Sequence, residues 1–283
     1  MRNVATIISG SGRDASAWIT AIPKKIELKV NKKLYSNFVQ RRLCADDPDS
    51  NSNNICDCKI RQKSRQHTDK KFDHAANCIK EGVSAEKIVA HTVGNRQIGN
   101  FIQCATNSPV QIKPEKAFAG MDPVTDKRLD VLASHKGGKG GYDYTVSHQV
   151  PGSGLTMTQA RIVGRTVEKS AKLKKEKYSA ICKRNGIDFF CAICYDSGGT
   201  MNKEWEVEKY RLFGMMPGGN HAGYRNYWNS VFSIAVQTGI SNKILQWKYR
   251  KVLKENYSSS GGYPIGDVDF LTELGSYQNN RMG

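Results

Sequence analysis

Arg128–His148 reads RLDVLASHKGGKGGYDYTVSH: two segments with apolar residues at strand-like spacing, one aspartate in each, joined by a run of glycine and lysine. Asp130 belongs to the first segment and Asp143 to the second, with twelve residues between them, enough for two strands and a loop. The glycines of HKGGKGG supply the positive backbone angles of a hairpin connection, so Lys136–Gly141 is expected as the loop, with Lys136 and Lys139 as its cations. A hairpin brings the two carboxylates onto neighbouring strands. Two hard oxygen donors meeting at one point are what magnesium requires to polarise a phosphate and lower the pKa of an attacking water. Either acid alone reads as a strand-end or edge charge; the pair carries the signal.

Working outward, Thr158–Arg184 has the pattern of a long helix stopped by Asn185-Gly186, with Lys169, Lys172, Lys174, Lys175 and Lys177 crowded at one end. Lys174 and Tyr178 are one turn apart and share a face. IDFFCAICY, Ile187–Tyr195, reads as a buried strand whose Cys191 and Cys194 point to opposite faces as core thiols. Upstream, Ser84–Thr106 is an amphipathic helix with Ile88, Val89, Val93, Ile98 and Ile102 on its apolar side, and His91 is expected to face solvent. Val110–Glu115 alternates like a short edge strand. The order from 84 to 195 is helix, three strands, helix, strand, and a sheet covered by two helices is a sound layered packing.

These residues carry a resemblance. The acid pair, preceded by Arg-Leu and followed by Tyr-Thr-Val, resembles the active-site hairpin of the PD-(D/E)XK nucleases. More narrowly, it is similar to the restriction-like endonuclease domain near the C-terminus of site-specific non-LTR retrotransposon polyproteins and related reverse-transcriptase-like genes, over about Ser9 to Gly214. The resemblance implies a mixed α/β (α+β) fold: a restriction-endonuclease-like αβββαβ core, with an N-terminal zinc knuckle and a C-terminal helical extension. It implies metal-dependent nicking of target DNA by phosphodiester hydrolysis. Asp130 and Asp143 would hold magnesium, and Glu115 is a candidate third ligand, a solvated loop glutamate being the other reading. The family's catalytic lysine sits on the helix, which makes Lys174 the counterpart, with Tyr178 bonding a phosphate. Lys174 as one of several DNA-facing lysines is the alternative. Two positions depart from the motif: Leu129 stands where it has proline, and Thr145 where its name-giving lysine would be. Asn95-Arg96 is the candidate for an Arg-His-Asn-like stretch that opens the family's core.

Cys56-Asp-Cys58, then fifteen residues, then His74-Ala-Ala-Asn-Cys78 matches the order of the family's zinc knuckle. Three thiolates and an imidazole complete a tetrahedral shell, with His67 a competing ligand and four unrelated reduced side chains the alternative. Ser16-Ala-Trp18-Ile-x-x-x-Pro23 resembles a segment the family carries just after its polymerase, so a reverse transcriptase is the expected upstream partner. Cys44-Ala-Asp-Asp47 has no apolar strand flanks and runs at once into Pro48. It is a helix end and linker rather than a polymerase palm.

Bulk properties agree. A net charge of +17 over 283 residues suits nucleic acid, DNA first and RNA as the alternative, and 39% hydrophobic content with a mean hydropathy of −0.56 suits a globular chain with much exposed polar surface. Lys136, Lys139, Lys172, Lys175 and Lys177 are the expected DNA contacts. No apolar run approaches the roughly 20 residues of a membrane span, and no secretory signal opens the chain, so an intracellular, nuclear location is expected. The expected organisation is a helical segment and linker (1–50), zinc knuckle (51–82), nuclease core (83–200), helical extension (201–256, with helices at about Arg225–Thr238 and Ser241–Asn256) and flexible tail (257–283). The rival reading is a catalytically inactive zinc-dependent nucleic-acid binder, a decayed or repurposed retroelement fragment.

Overall fold

A computed structural model describes residues 7, 10–21, 28–30, 32–43, 84–112, 129–135, 138–147, 156, 158–216 and 222–260. Segment 51–82, with the expected zinc ligands Cys56, Cys58, His74 and Cys78, lies outside the described residues, as do Glu115, Lys136 and 261–283. The chain divides into two compact units, Met1–Gln246 and Trp247–Gly283. The first holds the sheet and the candidate site. Of the second, only the end of the last helix, to Ser260, is described.

The described helices are α1 (Lys32–Arg42), α2 (Ser84–Thr106), α3 (Arg165–Arg184), α4 (Lys203–Met215) and α5 (Ala222–Ser260), with short 3-10 turns at Ala17–Ile19 and Gln159–Arg161. The strands are β1 (Val110–Ile112), β2 (Val131–His135), β3 (Gly138–Ser147) and β4 (Phe189–Asp196), in the order β1-β2-β3-β4. β1, β2 and β3 pair antiparallel, whereas β4 runs parallel to β3, with α3 as the crossover that a parallel neighbour requires. From α2 to β4 the element order is therefore α, β, β, β, α, β.

Alternation along the strands divides the sheet between two helical layers. Ala192 and Cys194 of β4 pack with Val167 and Ala171 of α3. On the other face Tyr142 meets Trp205 of α4, and Tyr144 meets α2. Phe101 of α2 joins that layer to α4 and α5, with ring centroids 5.1 Å from Phe213 and 5.2 Å from both Trp228 and Phe232. The N-terminal turn docks on the same unit. Trp18 stacks edge-on against Phe38 of α1 at 5.5 Å, Ser233 donates to the Ala15 carbonyl, and Arg41 donates to the Ser197 carbonyl.

Three expectations are corrected. The hairpin connection is shorter than expected: Gly138–Gly141 are strand residues of β3, and His135 already pairs with Gly138, whose φ is 114°. A side chain is excluded there because a Cβ on Gly140 would sit 2.4 Å from the Phe189 ring that leans over it. The long helix does not begin at Thr158 but at Arg165, because Gly164 takes a left-handed φ of 76° after the Gln159–Arg161 turn. The two helices expected after Arg225 are one, α5. The buried stripe Val236, Ile240, Ile244 runs straight through Gly239, whose helix-interior penalty of about 1 kcal/mol is too small to break it. Among the described residues no helix is long and apolar enough to cross a membrane.

Candidate active site

Val131 pairs with Tyr142, so one step further along this register Asp130 stands across from Asp143, and the Asp130 N–H donates to the Tyr142 carbonyl at 3.0 Å. Residues opposite each other on antiparallel strands share a face. Both acids are buried, Asp130 8% and Asp143 4% exposed.

α3 delivers a cation to them. Its buried stripe runs Val167, Ala171, Tyr178, Ile181, and Lys174 falls on that stripe between Ala171 and Tyr178. The spacing aims its side chain at the sheet, where Lys174 Nζ pairs with Asp143 Oδ2. A 2.7 Å hydrogen bond between the Ser147 and Ser170 hydroxyls pins the end of β3 to the helix nearby. Burial and the nearby charge of Asp143 raise the pKa of the Tyr178 hydroxyl, and Lys177 Nζ donates to that hydroxyl at 2.9 Å while lying 4.5 Å from the ring centroid. Tyr178 is buried on the same stripe, one turn from Lys174.

α2 closes the other side, and here the expectation of a solvent-facing His91 is corrected. His91 Nε2 lies 3.1 Å from Asp130 Oδ2 and 2.9 Å from the Tyr144 carbonyl, and Asn95 Nδ2 lies 3.0 Å from His91 Nδ1. A proton on Nε2 faces both the Tyr144 carbonyl and Asp130. The Tyr144 N–H gives Asp130 Oδ2 a further bond at 2.7 Å. The helix comes this close because residue 94 is glycine: a Cβ there would lie 2.3 Å from the Tyr144 ring.

Electrostatics separate the two acids. Burial pushes the Asp143 carboxyl up; Lys174 opposes, but the charge of Asp130 and a hydrogen bond to it add to the rise, which ends at about 6. Burial also pushes Asp130 up, yet the His91 hydrogen bond and charge, the Tyr144 N–H and Lys174 outweigh it and leave Asp130 below the ordinary carboxylate value. Two carboxylates face one ammonium, and the surplus negative charge makes the spot receptive to a further cation.

The other described candidates do not join this cluster. Lys139 is exposed on β3, its backbone N–H bonded to Asp188 at 2.6 Å. Lys172 is 79% exposed, 4.0 Å from Glu176, and Lys175 pairs with Glu204 at 3.0 Å. Leu129, in the place of the motif's proline, is core, packed with Tyr178, Ile181, Cys182 and Ile187. Thr145 lies two residues beyond Asp143 on the same face of β3, half-buried. Cys191 and Cys194 are buried free thiols, and burial raises the pKa of both. Among the described residues no group of three or more His, Cys, Asp and Glu side chains is arranged as a metal cage.

His91 is the residue whose place sequence reasoning missed, and Asn95, singled out there with Arg96, is its buried neighbour. The signal was present: they continue the stripe Ile98, Ile102, Ala105 backward by one and two turns, so two polar side chains fall on the face that α2 buries. In comparisons with known proteins, no family model and no curated protein matches this chain.

Proposed function

We propose that this chain is a magnesium-dependent DNA endonuclease of the PD-(D/E)XK kind, retroelement-derived, nicking its target by phosphodiester hydrolysis. The observation that carries this reading is the convergence of Asp130 and Asp143 with Lys174, an ammonium brought from α3 onto an acid pair made by neighbouring strands. The donor set fits the metal: two hard carboxylates whose charge Lys174 only half balances. Asp130 and Asp143 would hold the magnesium, which would polarise a phosphate and lower the pKa of a water. Lys174 Nζ stabilises charge that builds on the phosphate, Tyr178 bonds a phosphate oxygen, and His91 with the Tyr144 N–H fixes Asp130 against rotation. Glu115 is the candidate third ligand. In the same reading Cys56, Cys58, His74 and Cys78 hold a structural zinc, the work is nuclear, and a reverse transcriptase is the partner activity.

The test is nicking of supercoiled plasmid with Mg²⁺. Wild type nicks, EDTA stops it, and Asp130→Ala slows it at least about 1,000-fold, as loss of a metal ligand should. Equal nicking by both, or none by either, leaves the second reading: a catalytically inactive zinc-dependent nucleic-acid binder. One observation favours that rival, since each acid already has a protein partner, Lys174 on Asp143 and His91 on Asp130.

A further inference from the structure

We infer that the turn leading into α3 is a wedge for duplex DNA: Ile162 and Val163 enter the minor groove and part a base step, while Arg161 and Arg165 hold the phosphates on either side. The inference rests on the nuclease reading for its partner and adds where and how the duplex is gripped.

Ile162 is 51% and Val163 50% exposed. Scattered single apolar residues on a surface need no explanation. Two adjacent branched ones between two exposed arginines, in the sequence Arg161-Ile-Val-Gly-Arg165, form a raised apolar point with a cationic rim. Such a rim suits a polyanion, and an apolar tip with flanking cations is the composition of side chains that insert between base steps and kink the duplex.

The turn is held rigid enough to push. Ala160 beneath it is 1% exposed, the Ile162 N–H donates to the Gln159 carbonyl at 3.1 Å, and the Arg165 N–H donates to the Ile162 carbonyl at 3.2 Å. Both side chains are β-branched and have little rotamer freedom to lose. The wedge leads directly into the helix that carries Lys174 to Asp143. Lys174 is nine positions beyond Arg165 on α3, about 14 Å along the axis, or roughly four base pairs of duplex. A kink at that distance opens the groove beside the phosphate presented to Asp130 and Asp143.

The experiment uses the full chain carrying Asp130→Ala, so that the DNA stays intact, with wild type in EDTA as a second parent. The probe is a duplex of about 30 base pairs with end-to-end FRET dyes and an internal 2-aminopurine. Both parents are expected to bend the duplex and raise 2-aminopurine fluorescence. Adding Ile162→Ser with Val163→Ser should leave thermal unfolding unchanged, abolish both signals and weaken binding about tenfold. Arg165→Ala should instead lower the slope of log affinity against log salt by about one and keep the bend. A wedge variant that bends and binds like its parent overturns the inference, as does a parent that binds duplex without bending it, and either result leaves the nuclease reading standing. Bending by a chain that never nicks sinks the nuclease reading and keeps the wedge.

Discussion

Lys174 meets Asp143 at the acid pair, and Lys209 meets Asp14 where the N-terminal turn lies on α4. The same two side-chain types behave in opposite ways. Lys209 is the buried member, 0% exposed against 22% for Asp14, and its ammonium also donates to Asn229 Oδ1 at 2.8 Å. One positive and one negative charge with a neutral amide close that account, and burial pushes the Lys209 pKa down. At the other site the acid is the buried member, 5% exposed against 20% for Lys174, and a second carboxylate stands beside it. A balanced buried pair is a clasp joining the N-terminal turn to α4 and α5. An unbalanced one is strained in charge, and that surplus is what the proposed magnesium would relieve.

The largest expected effect separates the two outright. Asp143→Asn should lower nicking at least about 1,000-fold, about 4 kcal/mol of barrier, while thermal unfolding at pH 7.5 stays level or moves upward. A loss of more than about 1 kcal/mol of stability would make the acid pair a clasp as well. Next comes Lys209→Met, expected to cost about 3 kcal/mol in urea unfolding by stripping Asp14 and Asn229 of their partner, with nicking per folded molecule unchanged. Gly94→Ala should cost about 2 kcal/mol, since its methyl meets the Tyr144 ring, and should lower nicking too by lifting His91 from Asp130. If nicking survived that variant at full rate, His91 would have no part in holding the acid.

The smallest effect concerns protons. The Asp143 pKa is raised in the fold, so its contribution to stability is complete below the ordinary carboxylate value and is lost as pH rises through about 6. Asp130 runs the other way: its lowered pKa gives stability above the ordinary value that is lost only at still lower pH. Between about pH 4 and 7, metal-free wild type should therefore lose about 1–2 kcal/mol that Asp143→Asn does not lose, and Mg²⁺ should restore it at pH 7.5 but not at pH 5. Parallel pH profiles of the two proteins would remove the charge surplus on which the comparison stands. For the cysteine segment, bound zinc at about one equivalent, lost in Cys56→Ser, is the matching check.

Much of this was legible in the chain. Apolar periodicity placed α2, β4 and the acid-bearing strands, because burying one face of each element imposes a spacing that a reader can count. Lys174 and Tyr178 could be paired as one face of a helix for the same reason. Other features were not countable. Gly138–Gly141 looked like loop because glycine's freedom is visible in sequence, whereas the Phe189 ring that demands its smallness is fifty positions away. Gly164 ends one turn and Gly239 does not end α5, though both are glycine in helical patterns; the packing of Val236, Ile240 and Ile244 makes the difference.

By itself, the order of residues determined the sequence of helices and strands from α2 to β4, the apolar stripes and the two aspartates a hairpin apart, all of which follow from local geometry and side-chain periodicity. Only tertiary structure decided which polar groups meet. Whether His91 faces water or Asp130, whether Lys209 lies buried against Asp14, and how far Asp143 resists ionising depend on distances between segments remote in sequence. Coulomb and desolvation energies follow those distances rather than separation along the chain.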